Sequence, residues 1–153
     1  MRNFIWAIGL LLISASSLAG QEFPCGKATV SISVVAAKSA VWELQTRSTV
    51  TVSSPSGASV GISFVGRIDY VGGSCVNDVK GNPRVLFQAY CGGSGCKDLD
   101  NWGIVDPASL QMLLAPHDSN AAEARRILGV MPTPPKKMLS VHAEAKRLGI
   151  DVP

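Results

Sequence analysis

Charged and aromatic residues are scarce in this sequence of 153 residues, where they make up 16% and 6% of the chain. Apolar residues make up 46%, and a chain with that much hydrophobicity and so little net charge is not intrinsically disordered. Only the first segment is apolar enough to be considered for a bilayer, which excludes a polytopic membrane protein. The length fits one domain with a short appendage.

Residues 1–20 have the pattern of a secretory signal peptide. Arg2 precedes a short apolar run, and small residues then lead to a predicted cleavage after Ala19 or Gly20. The apolar run is half of the ~20 residues that span a bilayer, which favours a cleaved signal over an uncleaved anchor. Gln21 stands where a lipid-modified protein would have Cys. We therefore expect a periplasmic or secreted protein without a stable membrane anchor.

The predicted mature chain has little net charge. Without Arg2 it carries thirteen basic and eleven acidic residues, a net charge of +2. Such a small excess gives no electrostatic surface for nucleic acid, so we expect no nucleic-acid partner.

Four cysteines lie in the predicted mature part: Cys25, Cys75, Cys91 and Cys96. An even number in an oxidising compartment predicts two disulfides. Because the segment between Cys91 and Cys96 is short and rich in glycine, we expect these two to pair, which leaves Cys25 with Cys75. A zinc site with four Cys ligands is the alternative, but neither pair has the usual two-residue spacing. We expect no metal and no cofactor.

Apolar and polar residues alternate along much of the first two thirds of the chain, a pattern typical of half-buried antiparallel strands. The predicted strands are 29–34, 42–52, 60–70, 85–90, 102–105 and 110–114. Residues 54–57 and 106–109 have the composition of type I turns and predict two hairpins, and residues 72–74 are expected to end the first. The fold class is therefore mainly β, an antiparallel sheet or small sandwich of about six strands.

Two short helices are predicted near the C-terminus. Asn120 with Glu123 resembles a capping box for a helix that ends at Gly129. Thr133 is the expected cap of a second helix that runs to Leu148. The predicted organisation is a signal peptide (1–20), an antiparallel β domain (21–116) and a helical C-terminal segment (117–153).

Residues with catalytic chemistry are few and scattered. His117 beside Asp118 is compatible with a hydrolase, but no Gly-x-Ser-x-Gly elbow is present. Asp98, Asp100 and Asp106 are compatible with glycoside cleavage or calcium binding, whereas loop solvation and turn capping need no ligand. We assign no catalytic residue.

The Gly-rich loop between Cys91 and Cys96 is the predicted binding surface. A covalently closed loop loses little entropy when it binds, and a nearby tryptophan is a common interface anchor. The predicted partner-binding residues are Tyr90, Gly92, Gly93, Ser94, Gly95, Lys97, Asp98, Asp100 and Trp102.

The segment from Val85 to Cys91, the spacing of Cys91 and Cys96, and the strand–turn–strand that follows resemble the bacterial periplasmic inhibitors of vertebrate-type lysozyme. The resemblance covers about thirty residues and implies an exported β domain whose loop enters an enzyme cleft. That family carries Pro, His and Asp in the loop. Here the loop is Gly92-Gly93-Ser94-Gly95, so the inhibitory side chains do not carry over.

These observations predict an exported binding protein rather than an enzyme. The expected partner is another protein, a toxin or hydrolase that attacks the cell envelope, and this chain is its inhibitor or immunity partner. A small periplasmic hydrolase and an envelope structural or assembly protein are the alternatives. The sequence does not specify the oligomeric state.

Overall fold

The computed structural model describes residues 20–39, 45–65, 68–92 and 101–150. It is mainly β: two antiparallel sheets face each other, and two short helices lie near the C-terminal end. This confirms the predicted fold class.

The first sheet has four strands in sequence order: β1 (Gly20–Cys25), β2 (Ala28–Ala36), β3 (Thr46–Ser53) and β4 (Ser59–Val65). The predicted turn joins β3 to β4. There the Gly57 N–H donates to the Ser54 carbonyl at 3.0 Å, and Gly57 has a φ of +88°. That φ favours glycine because it has no Cβ.

The second sheet has five strands in the order β8-β7-β6-β5-β9. Their bounds are β5 (Tyr70–Asn77), β6 (Pro83–Tyr90), β7 (Trp102–Asp106), β8 (Gln111–Leu114) and β9 (Met138–Ser140). The second predicted hairpin is β7–β8. In its turn the Asp106 carboxylate accepts the Ala108 N–H at 2.8 Å, which is the turn chemistry that the sequence indicated.

The helices α1 (Ala121–Leu128) and α2 (Val141–Arg147) both pack on the strands. Helix α1 covers β7 and β8, whereas α2 follows β9 directly and lies against β2 and β3. Buried residues of α2, Val141 and Ala145, explain this packing.

Strand β6 lies in the middle of the molecule and is buried on both faces. Its side chains alternate between two cores: Val85, Phe87 and Ala89 pack between the sheets, and Leu86 packs under α1. Residues 85–89 are all buried, as the nearly continuous apolar run predicted.

Three predictions about elements were wrong. The stretch 60–70 is not one strand: β4 ends at Val65, and β5 runs through residues 72–74, which were expected to end a hairpin. The second helix begins at Val141 with Ser140 as its cap, not at Thr133. Residues 138–140 instead form β9 and pair with the start of β5. The nine strands of the described ranges exceed the predicted six because β1, β5 and β9 were missed.

A disulfide joins Cys25 at the end of β1 to Cys75 in β5, with the Cα atoms 5.2 Å apart. It confirms one predicted pair and links the two sheets covalently. Cys91 is also disulfide-bonded, but its predicted partner, Cys96, lies outside the described residues.

Membrane-spanning helices are absent from the described ranges, where no helix combines sufficient length with sufficient apolarity.

Candidate protein-binding site

A pair of tyrosines lies where β6 ends, next to the predicted binding loop. Tyr70, the first residue of β5, pairs in register with Tyr90, the last residue of β6. Their ring centroids are 5.4 Å apart with planes tilted by 33°. Tyr70 is 38% exposed, so one ring of the pair faces solvent. Aromatic pairs of this geometry are rigid and amphipathic, which suits a contact surface.

Asp69 holds the first end of the loop to the sheet. Its N–H donates to the Tyr90 carbonyl at 3.0 Å, and its carboxylate accepts the Gly92 N–H at 2.6 Å. Its carbonyl accepts the Val141 N–H at 2.8 Å, which also attaches the start of α2. One residue thus fixes the exit of β6, the first loop residue and a helix end. We call Asp69, Tyr70, Tyr90, Cys91 and Gly92 the loop base.

Gly92 is required by the tyrosine beside it. A Cβ at this position would lie 2.6 Å from Cε2 of Tyr70, closer than real Cβ contacts. The absence of a side chain lets the ring of Tyr70 cover the chain where it leaves β6. Gly92, predicted as a partner-binding residue, is therefore a packing residue as well.

Asn120 holds the other end of the loop, where the described chain resumes. Its carbonyl oxygen accepts the Trp102 N–H at 2.8 Å, and its amide donates to the Trp102 carbonyl at 2.7 Å. Asn120 is fully buried. The predicted capping role was wrong, because this side chain makes no cap hydrogen bond to α1 and instead bonds the backbone of β7.

Trp102 is a core residue, which corrects its predicted role as an exposed anchor. Its side chain is 3% exposed and packs under α1 with Ala124 and Leu128. The exposed aromatic ring at the site belongs to Tyr70, about thirty residues earlier in the chain.

The predicted partner-binding residues are only partly described. Tyr90 is half-buried and Gly92 is exposed at the loop base. The others, apart from Trp102, lie outside the described residues: Gly93, Ser94, Gly95, Lys97, Asp98 and Asp100.

The acidic residue Asp106 has a structural partner. Arg84 in β6 contacts the Asp106 carboxylate at 3.2 Å and the Asp78 carboxylate at 3.0 Å. These ion pairs join the β5–β6 turn to the β7–β8 turn. Within the described ranges, no group of three or more metal-ligating side chains occurs.

Asp78 is the most densely hydrogen-bonded carboxylate near this ion pair. Its burial acts to raise the pKa of the carboxyl. Hydrogen bonds from the backbone and side chain of Asn82 and from the Lys80 N–H, together with the charge of Arg84, lower that pKa below its ordinary value. The net direction is downward, so the charged form is favoured in the folded state.

A cavity of about 250 Å³ lies beside Asp78, between the β5–β6 turn and the end of α1. Lys80, Arg84 and Arg126 bring positive charge to its wall, and Val79 and Ile127 contribute apolar surface. Val79 is 65% exposed next to it. Two carboxylates neutralise Arg84, which reduces the positive charge at this cavity. We therefore favour the loop base over the cavity as the binding site.

The two histidines lie at the helices, and His142 directly follows Val141, whose N–H bonds Asp69. His117 contacts Glu123 at 3.3 Å on the exposed side of α1. His142 is exposed on α2. In the described ranges neither histidine forms an ion pair with Asp106, and the other acidic residues of the hydrolase hypothesis, Asp98 and Asp100, lie outside those ranges.

No protein-family model, curated protein or solved structure matches this chain. The assignment of a function therefore rests on the chemistry and geometry of the site.

Asp69 and Tyr70 were not among the predicted site residues. Their contacts are between residues 20 or more positions apart, and the sequence was interpreted as one strand through this region. An aspartate followed by a tyrosine inside an otherwise apolar stretch is the sequence signal that could have identified them, because tyrosine is enriched in interfaces.

Proposed function

We propose that this chain is an exported, non-enzymatic binding protein that acts as the inhibitor or immunity partner of an enzyme or toxin attacking the cell envelope. The observation that carries the proposal is a loop held to the fold at both ends. Asp69 bonds Gly92 at one end, and Asn120 bonds Trp102 at the other.

Preorganisation is the physical reason why such a loop suits binding. Ordering a free loop costs conformational entropy when a partner binds, and fixing its ends in advance lowers that cost. The exposed ring of Tyr70 adds a rigid contact with few rotatable bonds. A tyrosine beside a loop whose two ends are held is therefore a better recognition surface than either feature alone.

Export is the second part of the proposal. The Cys25–Cys75 disulfide is consistent with an oxidising location. The sequence pattern of residues 1–20 supports export, since it predicts a signal peptide that is cleaved after Ala19 or Gly20. A periplasmic protein with these features would meet toxins and hydrolases that enter the envelope.

The experiment is co-purification of the mature protein from periplasm, with the partner identified by mass spectrometry and its activity then titrated. We expect one enzyme at equal stoichiometry, inhibited by the wild-type protein. Vertebrate-type lysozyme is the first purified probe because of the loop resemblance.

Two variants assign the effect to the loop base and to the loop that follows it. Tyr70→Ala removes the exposed ring, and Ser94→Arg places a larger side chain in the predicted loop, so both should weaken binding at least about tenfold. Thermal unfolding checks that each variant is folded. Val79→Ala is the matched control, since it removes an exposed apolar side chain elsewhere. Recovery of envelope machinery instead would favour an assembly role, and turnover lost in His117→Ala would favour a hydrolase.

A further inference from the structure

In the described part of the chain, β4 is the one long edge strand that no feature protects from pairing with a strand of another chain. The other three edge strands each have a feature that blocks pairing with another chain. Strand β1 contains Glu22 and Pro24. Strand β8 has four residues beside a register shift in β7, and β9 has three. By contrast, β4 has seven residues with neither charge nor proline.

The inner face of β4 is also incompletely covered. Val60, Ile62 and Phe64 point toward the core but are only half-buried. Helix α2 lies against β2 and β3, so β4 extends beyond the covered part of the sheet. An additional strand beside β4 would bury these three side chains further and satisfy backbone groups at the edge.

We propose that β4 pairs with β4 of a second copy of this chain, antiparallel about a two-fold axis at Ile62. The pairing places Val60 of one copy opposite Phe64 of the other and Ile62 opposite itself. A two-fold interface must be self-complementary. This one is, because apolar residues meet apolar residues and no charges face each other.

The end positions of β4 give the test. In this register Ser59 of one copy lies opposite Val65 of the other. Both residues are exposed, and Val65 is 52% exposed. Substitutions at these two positions therefore change the interface while leaving the core of each copy intact. The four-stranded sheets of the two copies would then form one continuous sheet of eight strands.

Sedimentation velocity of the full mature chain tests the pairing at protein concentrations up to about 0.5 mM. We expect a reversible monomer–dimer equilibrium. The variant Ser59→Lys/Val65→Lys places like charges opposite each other twice, and it should weaken the dimer by about tenfold. The variant Ser59→Lys/Val65→Glu places opposite charges there and should restore the dimer.

Thr51→Lys/Ser53→Lys on neighbouring β3 is the control for added charge and should leave the dimer unchanged. Unfolding midpoints check that each variant is folded. A wild-type protein that stays monomeric overturns the proposal, as does a dimer whose dissociation constant is unchanged by the substitutions in β4. Open-ended assemblies would contradict a closed two-fold pairing. This inference is independent of the proposed function, because it uses none of the loop-base residues.

Discussion

Single polar residues hold together segments that are distant in the sequence. Asp69 illustrates this, since its backbone and carboxylate bond Tyr90, Gly92 and Val141. A carboxylate that accepts a backbone N–H makes a stronger hydrogen bond than a neutral acceptor does. The loop therefore begins from a fixed point. Such contacts join residues that no local sequence pattern connects, which is why the sequence did not reveal them.

Asp78 gives a pH-dependent contribution to stability. Its folded-state pKa lies below the ordinary value of 3.8, so the unfolded chain takes up the proton first as the pH falls. The stabilisation is complete above that value and is lost as the pH falls through it towards the lower folded-state pKa. Asp78→Asn should therefore be less stable than wild type at neutral pH, with a difference that shrinks below pH 3.8.

Thermal unfolding of both proteins between about pH 7 and pH 2 measures this difference. Asp118→Asn is the control, because that exposed side chain shares none of the contacts around Asp78. A difference from wild type that stays constant across the range would show that the charge of Asp78 plays no part.

At the scale of elements, local chemistry predicted the two hairpins and the first helix. The Ser-Pro-Ser-Gly and Asp-Pro turns are read from neighbouring residues, and Gly129 ends α1 in the left-handed conformation expected of it. Strand β9 could not be predicted in this way. Met138 recurs at helical spacing with Val141 and Ala145, and only the distant β5 makes residues 138–140 extended.

Asn120 is the polar connection between α1 and β7. Asn120→Ala removes both hydrogen bonds to the Trp102 backbone and leaves buried polar groups without partners. We expect a loss of about 2 kcal/mol in the free energy of unfolding, measured by urea denaturation.

A loss close to zero in Asn120→Ala would mean that other groups replace the amide. Asp118→Ala, two residues earlier and exposed, should change stability by less than about 0.5 kcal/mol. Amide exchange at Trp102 should also accelerate in Asn120→Ala and not in the control.

For the whole molecule, the disulfide that links the two sheets is a major contribution to stability. Cys25 and Cys75 are separated by 50 residues and belong to different sheets. Cross-linking across that distance restricts the unfolded chain by about 4 kcal/mol in the chain-entropy account. Replacing both by Ala should lower the free energy of unfolding by about this amount in guanidinium denaturation.

Cys91→Ala/Cys96→Ala is the matched comparison. The predicted loop there is ten times shorter in sequence, so its loss should cost only about 2 kcal/mol. Equal costs for the two double variants would contradict a stabilisation that depends on loop length.

The central claim is that this protein binds its partner through the loop base and the loop that follows. Hydrogen–deuterium exchange of the protein, alone and with the partner recovered from periplasm, tests it most directly. We predict slower exchange at residues 69–70 and 90–101 in the complex, with residues 79–84 and 126–131 unchanged. Slower exchange at residues 79–84 and 126–131, around the cavity beside Asp78, with unchanged exchange at the loop, would contradict the account.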